Sequence, residues 1–388
     1  MEIGLYLHIP FCTQKCPYCD FNSFAGLDAL HAPYAQALMA EMAALAMWRP
    51  WQVRSIFVGG GTPTVLSLVL LRSMLASAFD VFGISSQIEI TVEANPGTVD
   101  EAYLGEMRAA GVNRLSLGAQ SLQRHELELL GRGHSVADVR AAFAAARKVG
   151  FENISLDLIY GLPGQSLGGW QSTLEQAAGL APEHLSLYCL TVEEETPLAA
   201  RISRGEIPPP DDDVAADMYE LAQERLARAG FYHYEISNWA RDTSFFCRHN
   251  LIYWRNEPYL GVGAGAHSSC CGYRWHNCLN PHQYVAVVGT GEGTVSPWAS
   301  PTVAQVEAIS EALAMGETMM LGLRLLQEGV PLERFEARFG RSLLDVYAQE
   351  VAALSDAGLL ECLPDRLRLT RQGRLLGNQA FASFLPAA

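Results

Sequence analysis

The chain has 388 residues, a formal net charge of −15, 49% apolar and 18% charged residues. That is long enough for one large core with a smaller companion and too apolar for disorder, and the acidic balance gives no general attraction to nucleic acid or anionic lipid. There is no signal-peptide pattern and no apolar run of the roughly 18 residues a membrane span needs, and nine cysteines make an odd set for a disulfide framework, so a cytoplasmic protein with reduced thiols is expected.

Short β-rich runs alternate with helical patterns through the first half. Strands are predicted over 4–9, 55–59, 87–93, 114–118, 153–159 and 184–191, and helices over 31–48, 67–82, 99–110, 122–130, 136–149 and 168–180. Gly83, Gly111 and Gly150 stand where helix C-caps are expected. Six strand–helix repeats predict an α/β fold with a parallel sheet, open or curled into a partial (βα)6 barrel. The site of such a fold lies at the carboxyl ends of its strands. The unusual residues all fall on that rim. A Pro-Pro-Pro-Asp-Asp-Asp run at 208–213 marks a break and the start of a helix over 214–229. The stretch 231–297 is aromatic-rich and predicted irregular, and from about 301 the pattern is helical again. Two short strands over 359–362 and 367–370 close a winged-helix-like module. The expected divisions are 1–230, 231–300 and 301–388. Over 331–388, Asp and Glu match Arg in number, Lys is absent, and the expected recognition helix over 342–357 carries Asp345, Glu350 and Asp356. Phosphate would be repelled there, so the module is expected to pack or meet protein.

Cys12, Cys16 and Cys19 follow the first strand with C-x3-C-x2-C spacing. Three thiolates on a four-iron cubane leave one iron free to chelate a small ligand. Zinc would want a fourth ligand, which His8 or a distant cysteine would have to supply. Gly59-Gly60-Gly61-Thr62-Pro63 lets backbone approach a ligand closely, although a plain turn uses the same residues. Glu93 and Asp157 can accept ribose hydroxyls, and Arg132 can pair with a carboxylate. Together with Gln120, they could instead be no more than rim salt bridges and hydrogen bonds.

These motifs resemble the radical S-adenosylmethionine (SAM) superfamily. The resemblance implies a [4Fe–4S] cluster on the three cysteines, SAM on the open iron, and reductive cleavage of SAM to a 5′-deoxyadenosyl radical. Within it, Leu5-Tyr6-Leu7-His8-Ile9-Pro10-Phe11-Cys12, Glu93-Ala94-Asn95-Pro96, Leu117-Gly118-Ala119-Gln120-Ser121 and Asp157-Leu158-Ile159-Tyr160-Gly161-Leu162-Pro163 look like the coproporphyrinogen-oxidase-like branch. This resemblance spans nearly the whole chain. It implies that Tyr6, Gly60, Gly61, Thr62, Glu93, Gln120, Arg132 and Asp157 hold SAM, with Tyr18 beside it.

Two subgroups share that frame, an oxygen-independent coproporphyrinogen III oxidase and a haem chaperone of the HemW type. Three features are similar to the chaperone. Only eleven residues precede Cys12, Asp20-Phe21 follows Cys19 where the oxidase usually has a further cysteine, and His249-Asn250-Leu251-Ile252-Tyr253-Trp254 looks like the H-N-x-x-Y-W motif linked to haem binding. By that resemblance His249, Asn250, Tyr253 and Trp254 contact haem. An imidazole can ligate the iron and aromatic rings can cover a porphyrin face, with Cys247 as a second ligand choice. The alternative is a core histidine near two buried aromatics. The expected function is therefore haem binding and delivery to apo-haemoproteins, membrane-bound ones among them. Porphyrinogen decarboxylation, SAM-dependent haem breakdown and a metal-stabilised binding module are the alternatives. Residues 261–266, followed by His267, are read as close backbone packing. Cys270, Cys271 and Cys278 with His276 fit no cluster spacing and are read as structural, and Cys189 and Cys362 as core.

Overall fold

Ile3, Leu5, Leu7 and Ile9 alternate with Gly4, Tyr6 and His8 along β1 (Glu2–Ile9), and all but Tyr6 of these are buried. A strand buried on both faces belongs inside a sheet that is covered on both sides. In the computed structural model, which describes residues 1–288 and 296–386, β1 lies in the middle of a 12-stranded sheet. On one side β2 (Gln52–Gly60), β3 (Gly83–Ala94), β4 (Arg114–Gln120), β5 (Ile154–Tyr160) and β6 (His184–Cys189) follow in order, all parallel. Helices between them, such as His31–Trp48, Leu68–Val81 and Val136–Lys148, cover the outer face. This is the expected six-fold strand–helix frame. Gly111 and Gly150 end helices with φ of 97° and 92°, whereas Gly83 opens β3.

The stretch expected to be irregular is built into the same sheet. β7 (Tyr232–Glu235) and β8 (Asn238–Ala240) add antiparallel at the β6 edge. β9 (Tyr259–Val262) adds parallel to the free side of β1, followed antiparallel by β10 (His267–Cys270), β11 (Tyr273–Asn277) and β12 (Val303–Ala308). Strands of three to six residues are too short to show a clean period in sequence. β12 also replaces the helix expected from 301, which starts only at Glu311, where the Ser310 side chain caps Leu313 N–H. Residues 289–295 of the expected middle division and 387–388 of the last lie outside the described residues.

The C-terminal module has its own core, including Met319, Leu323, Phe335, Leu367 and Phe384. Its wing has three strands rather than two, β13 (Val330–Pro331) joining β14 (Leu360–Cys362) and β15 (Arg366–Leu369) in the order β13-β15-β14. The helix expected over 342–357 is broken at Tyr347 into Leu343–Val346 and Ala348–Asp356, because Tyr347 leaves the helical region at φ −117° and ψ 31°. Cys189 and Cys362, expected in the core, are exposed, each as the last residue of its strand. Arg255 pairs with Glu328 at 2.6 Å and Arg334 with Glu257 at 2.9 Å, tying the module to the barrel.

Gly4 is small because the helix Arg248–Trp254 presses on β1. A Cβ there would lie 3.0 Å from Ile252 Cδ1 and 3.2 Å from His249 Cε1. Gly4→Val should therefore destabilise the fold by about 2 kcal/mol through overpacking, read as a lower urea midpoint. An unchanged midpoint would mean that this contact is not tight.

Candidate functional site

The cysteine loop is held at its ends and its middle. Phe11–Cys12 pairs with Phe24–Ala25, and buried Phe11 packs against Tyr34, with ring centroids 5.1 Å apart. The glycine run folds back onto the loop, Gly61 N–H donating to Ile9 O at 2.8 Å and Thr62 N–H to Phe11 O at 2.7 Å. Thr62 Oγ1 donates to Cys12 Sγ at 3.6 Å and Arg132 Nη1 to Cys16 Sγ at 3.3 Å, while Cys19 Sγ lies 3.9 Å from Ser23 Oγ. The three free thiols line one cavity of about 650 Å³. Among the described residues no three His, Cys, Asp or Glu side chains close on a point as a mononuclear site would need. A cubane instead takes each thiolate on a separate iron, so the donor set fits it better than zinc. His8 is no fourth ligand: its Nε2 lies 3.0 Å from Asn22 O and its Nδ1 3.0 Å from Tyr6 Oη.

The strand ends supply the rest of the wall. Gly60 has φ 111°, and a Cβ there would meet the His8 ring at 2.5 Å, so only glycine fits. Its N–H donates to Glu93 Oε2 at 3.2 Å. Loss of solvent, helped by nearby Asp157, pushes the Glu93 carboxyl up to about 7. Asp157 is raised by the same burial, offset in part by hydroxyl donors such as Ser116 Oγ at 2.9 Å. Gln120 ends β4 with φ 64°, a strained backbone of the sort concentrated at functional sites. Gly118 beside it leaves room for the Gln120 and Arg132 side chains. Tyr18 packs with Leu130, Ile159 and Leu162, and burial raises its phenol. Cys12, Cys16, Tyr18, Cys19, Gly60, Gly61, Thr62, Glu93, Gln120, Arg132, Asp157 and Asn250 thus share one cavity.

Sequence reasoning missed one residue in that cavity and one that braces its strand ends. Arg114 is 2% exposed, lines the cavity, and its buried Nε has no hydrogen-bond partner among the described residues. Its signal was a lone cation opening an otherwise uncharged strand. His134 bonds Asn95 Oδ1 and Ala119 O at 3.0 and 3.2 Å, fixing two strand ends, and nothing in its spacing marked it.

The expected haem motif is divided. His249 is 1% exposed, its Nδ1 lies 2.9 Å from Ser55 Oγ and its Nε2 2.8 Å from Tyr253 Oη. Burial, with Arg114 nearby, pushes its pKa down to about 3. Cys247 is buried beside Glu89, and its thiol is pushed up to about 12 by burial. Neither lines this cavity or the one beside it. Asn250 lines the first cavity, whereas Tyr253 and Trp254 line a second of about 700 Å³. Tyr6, expected to hold SAM, also lines the second. The two cavities meet at Phe21, Gly60 and Glu93.

A three-thiol loop at the carboxyl end of a parallel αβ barrel, facing strand-end carboxylates, defines a radical SAM protein, and residues 6–177 match the family model described as the Radical SAM superfamily. Residues 309–376 match the HemN C-terminal domain. The chain is 38% identical to the heme chaperone HemW of Bacillus subtilis (strain 168) over 98% of each chain. It is 42% identical to that of Escherichia coli (strain K12) over 68% of this chain and 69% of the relative. The chain belongs to the HemW family. The solved coproporphyrinogen III oxidase (HemN) from Escherichia coli superposes with a TM-score of 0.85 at 24% identity, covering 99% of this chain and 90% of that one, which shows a shared fold.

The raised Glu93 carboxyl has a sign that can be checked. A carboxyl held above its ordinary 4.5 stabilises the fold below that pH, and the stabilisation is lost as pH rises through about 7. Glu93→Gln should therefore be the more stable protein at pH 8 without SAM, by about 2 kcal/mol given the partial exposure of the side chain, and no more stable at pH 4. Parallel anaerobic melting curves at both pH values test this, and a difference that does not depend on pH would count against it.

Proposed function

We propose that the chain holds a [4Fe–4S] cluster on Cys12, Cys16 and Cys19, binds SAM beside it, and carries haem to apo-haemoproteins in the cytoplasm. When bound, cluster and SAM supply one-electron chemistry. The protein's part is to hold and shield them. Thr62 and Arg132 donate to the thiolates, which spreads their charge. Glu93 and Asp157 offer carboxylates to ribose hydroxyls and suit a cationic sulfonium ligand. Gln120 and the Gly60–Thr62 backbone offer polar groups at the same wall. Tyr18 closes one side with an apolar ring.

The observation that carries the haem reading is the position of the short helix Arg248–Trp254. It places Asn250 in the thiol cavity and Tyr253 and Trp254 in the adjoining one, so a single turn of chain spans both. A flat aromatic ligand beside SAM would touch the same segment. The end-to-end relation to proteins named heme chaperone supports the same reading. No helix among the described residues is long and apolar enough to cross a membrane, so membrane-bound acceptors would be met at the surface.

Cys12→Ala should lose the cluster, because two thiolates hold it poorly; full iron and sulfide content in that variant would remove the assignment. To separate chaperone from oxidase, anaerobically reconstituted protein is incubated with coproporphyrinogen III, SAM and reductant, and separately with haem followed by apomyoglobin. The expected result is intact substrate and transferred haem. Sustained loss of propionate carboxylates coupled to 5′-deoxyadenosine would identify an oxidase, and ring-opened product a haem-degrading enzyme.

A further inference from the structure

The antiparallel extension of the sheet has a sidedness that its sequence hides. Ser268, Cys270 and Trp275 are buried on one face. His267, Ser269 and Arg274 lie on the other, with Tyr259 in register with Ser269, and all four line the second cavity. The facing wall is made by Tyr253 and Trp254 together with Met320 and Leu321 of the helix Glu311–Gly322. At the mouth, Phe21 is 65% and Leu279 55% exposed. Asn22 Nδ2 ties these two lips together by donating to Leu279 O at 3.0 Å and Ala264 O at 3.1 Å. Aromatic walls behind two exposed apolar lips suit a flat apolar ligand.

Most polar groups in this cavity are already engaged. Tyr6 and His8 bond each other, and Arg274 pairs with Glu317. The His267 imidazole has no hydrogen bond to either ring nitrogen among the described residues, and its neighbour is the His276 ring at a centroid distance of 5.0 Å. The His267 residue is exposed, and partial loss of solvent, with His276 and Arg274 close by, lowers its pKa, so it keeps a lone pair at neutral pH.

We propose that the second cavity takes an iron porphyrin and that His267 supplies an axial nitrogen to its iron. This rests on the haem reading above and names the ligand within it. One histidine cannot hold a bare metal ion, and no three ligating side chains converge among the described residues. One imidazole does suffice for an iron that brings four equatorial nitrogens of its own. Tyr253 and Trp254 then serve as walls against the macrocycle, and His249 as the buried brace that sets Tyr253.

The test is an anaerobic titration of cluster-reconstituted protein with ferric haem, followed by absorption and electron paramagnetic resonance. Wild type should bind with a nitrogen-ligated iron. His267→Ala should bind at least about tenfold more weakly, lose that signature, and regain it when free imidazole is added. His276→Ala should keep it. Cluster iron content reports whether each variant is folded. A folded His267→Ala with wild-type affinity and spectrum overturns the ligand while leaving haem binding intact, as does loss of the signature in His276→Ala alone. Wild type that binds no haem overturns both the ligand and the reading it rests on.

Discussion

Two carboxylates and one guanidinium share the interior of the barrel, and the site is arranged around that imbalance. Glu93 and Asp157 face the same cavity, and Arg114, a cation among its walls, lowers both carboxyls by its charge but does not offset their burial. Burial alone would keep one carboxyl protonated near neutral pH. A positively charged ligand would relieve the pair better than water can, and holding both carboxyls in an empty cavity costs the protein stability. The thiol loop above it needs the opposite help, and Arg132 supplies it at Cys16.

The geometry that keeps these charges in place is mostly backbone. Gly60 N–H reaches Glu93, and the next two residues bond back to Ile9 and Phe11, so one tight turn fixes both the acid and the entry to the cysteines. A side chain on Gly60 would strike His8, which itself is bonded to Tyr6 and to the Asn22 carbonyl at the other end of the loop. Movement of any one of these would be felt at the thiols.

The six parallel strands were legible because each has a run of β-branched or aliphatic residues long enough to show its character. Cys12, Gly60, Glu93 and Gln120 stood out at or just past the ends of four of them, and Asp157 as a charge in the middle of an apolar strand. The strands after residue 231 did not, since three to six residues with mixed aromatics carry no readable period. Arg114 was missed because it opens its strand instead of closing it. His249 was legible as special but not as a brace, because what settles its role is Ser55 on β2 and Tyr253 one turn away. His267 stood next to a glycine-rich turn that drew the attention, and its face is set only by pairing with β11.

The pairing of β1 with β9 has a consequence for how the protein is made. Gly4 to Leu7 bond a strand some 250 residues later, Tyr259 to Val262, and the Asn22 side chain bonds Ala264 and Leu279. During synthesis the segment leading into the cysteines therefore has one open edge until about two-thirds of the chain has emerged. The cysteine loop therefore keeps an uncovered side throughout that interval, and these later segments close over it.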